Sequence, residues 1–370
     1  MIDFLQSDLF KEAVEVVKFR LDEASKREVN VFGQPWYLKH FNWDSEGMTE
    51  AEFTTLLGQL HYTIAASTIN QWSADPVRKL DGYGKLKQEM LTYSHVYKLE
   101  AEDLRDIATY IKVANKSHKD LVNYIANRLM NVRERAINGI HERLDIIILG
   151  ALSNAGVFTF TADNDPGSPY IGSQLQFGFD PAHIGTITTP WTDANIATVD
   201  VIDDIQSIVG DSVVEQTKML MLPETAQYML KTSKLHLYIN GSDRASTPIT
   251  LNQVNAEFER LGLPTIELVR KKSRTLKGAD DVHFNPWKAG QILFVPDNNF
   301  GVIKSRLSDA EVGLKENDVD YSYYNRIEVA NWVVGLKQGS NYTEMVRARV
   351  TAMPSMPSIA DMYTVNVLNQ

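Results

Sequence analysis

Eight histidines and 47 carboxylate side chains are the raw material for chemistry in this chain, and their spacing builds no recognisable site. His141-Glu142 lies in a helical stretch, but no second histidine follows at the zinc-helix spacing, which excludes a metalloprotease site in its usual form. Asp203-Asp204 and Asp280-Asp281 are adjacent, so their side chains diverge on either a helix or a strand. A paired-carboxylate hydrolase would need partners brought from afar. Asp163-Asn164-Asp165-Pro166-Gly167 resembles the start of a calcium loop, yet Gly167 falls on the fifth ligand position and no Glu stands at the twelfth. There is no Gly-x-Ser-x-Gly elbow, phosphate-binding loop or dinucleotide fingerprint, and Gly82 with Gly84 reads as a turn. The chain has no cysteine, which removes disulfides, thiolate metal sites and cysteine nucleophiles by count. No catalytic, cofactor-binding or metal-ligating residue is assigned.

A formal net charge of -10, with no block of five like charges, argues against wrapping nucleic acid by counterion release. With 370 residues, 44% of them hydrophobic, the chain can bury a large core and hold two or three structural regions. Neither a signal peptide nor an eighteen-residue apolar window is present, so no membrane span and a cytoplasm-like compartment are expected.

The elements that must position any site centre on Ser117 to Leu152. Apolar residues recur there at Leu121, Ile125, Leu129, Val132, Ala136, Ile140, Leu144, Ile147 and Ala151, a single helical stripe. Such a helix runs about 50 Å, more than one small core needs. Arg143 falls near the middle of the stripe and Arg133 at its edge, while Asn127, Asn131, Glu134, Asn138, Glu142 and Asp145 mark a solvated face.

Upstream, Phe10, Val14, Val17 and Leu21 define an amphipathic arm or surface helix. Val31 to Trp43 clusters aromatic rings that read as anchors, because Lys39 is the one lysine or arginine among them, short of the basic interleaving that base stacking uses. Thr49 with Glu52 suggests a capped helix to Gly58. His61 to Leu99 reads as a long two-stranded ribbon with Asp75-Pro76, Asp81-Gly82 and Gly84 at its tip; it either folds over its own core or lies on a neighbouring subunit. Glu100 to Ala114 is a helix with an acidic first turn. Gly156 to Val199 reads as loops and short strands.

From Asp200 the pattern predicts helices at Val201, Pro223 and Leu251 to Leu261. Strands are expected at Lys218 to Leu222, Ile266 to Val269, Gln291 to Val295 and Gly301 to Ser305, a small mixed sheet covered by helices. Arg326 onward is mostly strand, with Met353 to Ala360 as a proline-punctuated connector. The expected class is α+β. A strut, a long ribbon and no site point to assembly; the alternative is a small-molecule hydrolase with an unrecognised site in the α/β region, and a helical adaptor fits poorly with so many strands.

This order of features resembles the major capsid proteins of tailed bacteriophages, the lambda-type capsid protein E group with the fold named for phage Hong Kong 97. The resemblance rests on Ile69 to Leu86, Lys98 to Leu104, Trp191 to Ile205, Leu220 to Lys231, Gln291 to Asp297 and Trp332 to Val367, and the first 60 residues fit least well. It implies an N-terminal arm (1–60), an extended E-loop hairpin (61–99), a peripheral domain (100–199) with its spine helix at 117–152, an axial domain (200–335) and returning strands (336–370). It further implies a non-enzymatic shell subunit without cofactors, found in the virion, assembled in the host cytoplasm and enclosing DNA. Partners would be copies of itself in hexamers and pentamers, scaffold and portal proteins, and a decoration protein. Trp72, Arg78, Lys79, Tyr83, Lys85, Arg133 and Arg143 are expected at contacts between subunits, the last two facing acidic groups of the same or a neighbouring subunit.

Overall fold

The computed structural model describes residues 8–26, 35–57, 84–114, 116–210, 212, 214–241, 248–277, 280–334 and 343–368. In chain order the first half holds α1 (Asp8–Lys26), β1 (Phe41–Trp43), β2 (Glu52–Leu57), β3 (Gly84–Glu89), β4 (Leu91–Glu100), α2 (Ala101–Val113), α3 (His118–Leu152), β5 (Val157–Thr159), β6 (Gln174–Gln176) and β7 (Ile184–Gly185). There follow α4 (Val201–Gly210), β8 (Lys218–Met221), α5 (Pro223–Leu230), α6 (Ser233–Asn240), α7 (Leu251–Leu261), β9 (Thr265–Leu268), β10 (Ser273–Lys277), β11 (Asp280–Phe284) and β12 (Gln291–Val295). The chain closes with β13 (Gly301–Ser305), β14 (Val319–Tyr324), β15 (Ile327–Val334), β16 (Thr343–Ser355) and β17 (Tyr363–Asn366).

The strut is α3, 35 residues long, and its start is set by Ser117, whose Oγ accepts from the Asp120 amide at 3.3 Å. A cap of this kind is worth about 1 kcal/mol; tertiary packing does most of the rest. Ile125, Leu129, Ala136, Ile140 and Leu144 are buried as the stripe requires, against α1 on one side and β4 and β16 on the other. Toward its C-terminus Ile146, Ile147, Ile148 and Leu149 are all buried, so the last turns are enclosed on every side. Asp145 departs from the sequence reading: it lies on the face expected to be solvated, yet it is wholly buried.

The six-stranded sheet under α3 is organised by β16. One edge of that 13-residue strand pairs with β4 from Thr343↔Glu100 to Ala352↔Leu91. The other edge pairs first with β15 and then with β13, which in turn carries β1 in parallel, while β14 flanks β15. Leu91 to Leu99 is therefore a strand, as its alternation predicts, but it belongs to this sheet and not to the returning arm of the ribbon. Pairing with β16 along ten positions supplies far more ladder bonds than an isolated arm could.

The second sheet runs β7-β17-β12-β8-β9, a mixed arrangement. Its central strands β8 and β12 read as continuous apolar runs because both faces are covered. Met219, Met221, Ile292 and Phe294 enter a core shared with α4, α5, α6 and α7; Leu220, Leu222, Leu293 and Val295 enter the core around α3.

Three further readings are corrected. Residues Glu52 to Leu57 form β2, not a helix: Phe53 and Thr55 point inward, their neighbours outward, and pairing with β3 overrides the local cap signal at Thr49. The Met353 to Ala360 connector divides into the end of β16 and a 3₁₀ turn, Pro357–Asp361, and Pro354 sits opposite Ile303. The arm helix α1 buries Phe10, Ala13, Val17 and Leu21 against α3 and β14, so it is part of the core. The elements β10, β11, β14 and α6 carry no pattern that the sequence reading assigned.

Candidate assembly surface

A groove of about 1120 Å³ opens beside α3. Its floor is β4, with Tyr93 and His95, and the α3 face carrying Arg135, Gly139 and Arg143; one wall is the 165–170 loop and the other is Arg274 to Leu276 of β10. The close approach of β4 to α3 depends on Gly139, where a Cβ would fall 1.7 Å from His95 Nδ1. Arg143 fixes the first wall: its Nη2 pairs with Asp165 at 2.8 Å and its Nη1 donates to the Asn164 carbonyl at 2.5 Å. The second wall is tied to the first by Thr275 Oγ1 donating to the Asp163 carbonyl at 2.6 Å and by Lys277 pairing with Asp163 at 2.7 Å. The acidic residues of the calcium-like stretch are thus spent on these ties. Around the groove, Tyr170, Ile171 and Leu276 are exposed apolar groups.

A buried polar network fixes α3 to the 36–43 segment. Asp145 accepts from the amides of Trp36 at 3.1 Å and Tyr37 at 2.8 Å, and pairs with Lys271 at 2.9 Å. Lys271 also reaches Glu142 at 2.6 Å. Burial pushes the Asp145 carboxyl upward, and Lys271 with the two amides pulls the other way. Trp43 Nε1 donates to the Tyr37 hydroxyl at 3.1 Å, which leaves the hydroxyl proton for His141 Nδ1 at 2.7 Å. That arrangement suits a neutral imidazole, and burial takes His141 down to about 4. The aromatic anchors of the sequence reading act here: they clamp the 36–43 segment to the strut.

The hairpin of β2 and β3 leaves this body with one face inward. Thr55 Oγ1 donates to Gln88 Oε1 at 3.0 Å and lies 2.9 Å from Ser355 Oγ, while Phe53 is buried beside them. Its outer face carries Lys85 and the Lys87–Glu52 ion pair, both exposed. Among the residues expected between subunits, Trp72, Arg78, Lys79 and Tyr83 lie outside the described residues. Arg133 is enclosed within the chain, donating to the Leu129 carbonyl at 3.1 Å with the Glu344 charge nearby. Arg143 lines the groove, and Lys85 stands exposed on β3.

The α/β unit offers a cavity of about 250 Å³ lined by Asn154, Thr186, Gln291, Thr364 and Asn366 among others, with no titratable group in its lining. Among the described residues no three His, Asp or Glu side chains are grouped to hold a metal ion, and no helix is long and apolar enough to cross a membrane.

A family model described as phage major capsid protein E matches residues 66–330. The chain belongs to this family. It is a structural shell protein of a phage virion that associates with copies of itself, and the family leaves the hydrolase alternative without support. The crystal structure of a protein assigned as a prophage capsid protein of E. coli CFT073 is similar at a TM-score of 0.59 and 13% identity, covering 95% of this chain and 98% of that one. The fold is of the Hong Kong 97 type, as the resemblance implied. A phage-related protein of Bordetella bronchiseptica RB50 gives a TM-score of 0.47 at 13% identity over 94% of this chain and 96% of that one. The capsid of Myoviridae phage XM1 gives 0.44 at 12% identity over 91% and 92%. No curated protein matches the sequence.

Proposed function

We propose that this capsid protein is the repeating unit of an icosahedral head, arranged in hexamers and pentamers around double-stranded DNA and assembled in the host cytoplasm. The family match over residues 66–330 carries this reading. In it, α3 is the spine of a peripheral domain that takes in α1 and the six-stranded sheet with β13, β14 and β15, the second sheet with α4 to α7 forms an axial domain at capsomer centres, and β16 and β17 return to complete the two sheets. The E-loop crosses the adjacent subunit through the part of the 61–99 stretch that precedes β4, where Trp72, Arg78, Lys79, Tyr83 and Lys85 make contact. The groove beside α3, with Arg143 and its apolar rim, is the receiving surface. A formal charge of -10 suits a container that holds DNA without gripping it. Scaffold, portal and decoration proteins are the expected partners.

Negative-stain microscopy of the expressed full chain tests this. Closed particles or capsomers are expected; a chain that stays monomeric at every concentration overturns the reading.

A further inference from the structure

In a chain whose formal net charge is -10, residues 270–277 hold five lysines or arginines and no carboxylate. The strand pattern of β10 sorts them onto two faces. Ser273 and Thr275 are buried, and Lys271 and Ser273 reach Glu142 on α3 at 2.6 and 3.4 Å. Arg270, Lys272, Arg274 and Leu276 are exposed, Leu276 to 62%. His283 of β11 stands opposite Arg274 in the register and so joins this outer face. Arg274 pairs with Asp281 at 2.9 Å and Lys277 with Asp163 at 2.7 Å. Arg270 and Lys272 have no carboxylate partner among the described residues.

A second stretch has the opposite character. Residues 309–320 carry five carboxylates and one cation, Lys315, and Val312 and Leu314 stand 52% and 70% exposed among them. Asp309, Glu311 and Asp320 pair with Arg349, Arg326 and Lys18 of the same chain. Glu316 and Asp318 are exposed and have no cation partner among the described residues.

The two stretches lie on opposite faces of the six-stranded sheet. Val346, Ala348 and Val350 of β16 enter the core around α3, so Arg347 and Arg349 between them point the other way. The 306–316 segment covers that other face, where Arg306, Arg326, Arg347 and Arg349 line a cavity of about 240 Å³ beneath it. The β10–β11 ribbon is fastened to α3, on the first face, through Lys271. No ion pair joins the two stretches among the described residues.

We propose that the 309–320 stretch of one copy docks on the β10–β11 ribbon of a second copy, with Glu316 and Asp318 meeting Arg270 and Lys272, and Leu314 meeting Leu276. The contact rests on the shell reading, because it names a surface that joins the copies. Two different surfaces on opposite faces make it head-to-tail, a contact that propagates from copy to copy into rings and larger assemblies. Charges of this kind set register and encounter rate more than affinity. Duplex DNA is the less suited occupant, since Asp281 stands among the ribbon's cations beside an exposed leucine.

Four full-length chains test the contact: the parent, a ribbon variant (Arg270→Gln with Lys272→Glu), an acid variant (Glu316→Lys with Asp318→Asn) and a chain with all four changes. Asp318 has a φ of 65°, a conformation that asparagine tolerates. The four residues are exposed, so circular dichroism and melting are expected to stay as in the parent. Particle yield in sedimentation and negative stain is expected to fall about tenfold or more in each two-site variant, through the like charges brought together, and to recover in the fourfold chain. Either two-site variant assembling as the parent does, or a fourfold chain that stays unassembled, overturns the contact and leaves the shell reading standing. A parent chain that forms no particles removes the shell reading and the contact with it. Normal particle yield with loss of bound duplex DNA in the ribbon variant alone assigns the ribbon to nucleic acid and also overturns the contact.

Discussion

Asp145 shows what a helical wheel leaves out. Its position on α3 places it beside Glu142 on the side turned from the stripe, and only the return of Lys271 and the 36–37 amides, more than a hundred residues away in sequence, makes that side an interior. Arg143 and Arg133 were legible as intruders on the stripe; their partners, Asp165 for one and the neighbourhood of Glu344 for the other, were not. His141 carries a testable consequence. Burial, with a further push from the Lys271 ammonium, lowers its pKa from 6.5 to about 4. Between those two values the unfolded chain binds a proton that the folded chain refuses, so stability falls as pH drops, by about 1.4 kcal/mol per pH unit and about 3 kcal/mol in all. Above pH 6.5 the residue contributes no slope. Urea unfolding of the subunit at about pH 7.5 and about pH 4.5 measures this, and His141→Gln, which keeps an acceptor for Tyr37, is expected to flatten that part of the profile. Equal slopes in the two proteins would contradict the assignment.

At the scale of elements, α3 and β4 meet at a distance that one residue permits. Glycine in a helix interior costs about 1 kcal/mol relative to alanine, so Gly139 is retained against propensity, and His95 occupies the space its side chain would need. Gly139→Ala is expected to destabilise the subunit by about 1–3 kcal/mol through overpacking. In a His95→Ala background the same change becomes neutral or stabilising by about 0.5–1 kcal/mol. Thermal unfolding of the four proteins of this cycle decides it; additive effects would show that the two residues do not meet. The pattern of the sequence carries α3 from its Ser117 start, α7 from Leu251 to Leu261, and β12 and β13 to the residue. Each of these has a strong local signal. The failure at Glu52 to Leu57 has the opposite origin, because six residues with a cap-like threonine before them take their state from β3.

For the whole molecule, the register of the hairpin suggests how to separate folding from assembly. Leu57 pairs with Gly84, so residues 58–83 can be replaced by an Asn-Gly turn that closes β2 on β3. Removal of the full 61–99 stretch would instead take β4 out of the six-stranded sheet. The shortened chain is expected to keep its circular dichroism and melting behaviour and to form no particles in sedimentation. Particles of normal size would show that the hairpin is dispensable for the shell. By itself the sequence determined the periodic elements, the α+β class and the order of features that resembles a capsid subunit, since these depend on neighbours a few residues apart. Tertiary structure alone decided that β4 joins β16, that Asp145 is interior and that arginines from three separate stretches surround one cavity. An amphipathic pattern specifies which face of an element is buried; the partner that buries it is chosen by contacts between segments hundreds of residues apart, and no local spacing encodes them.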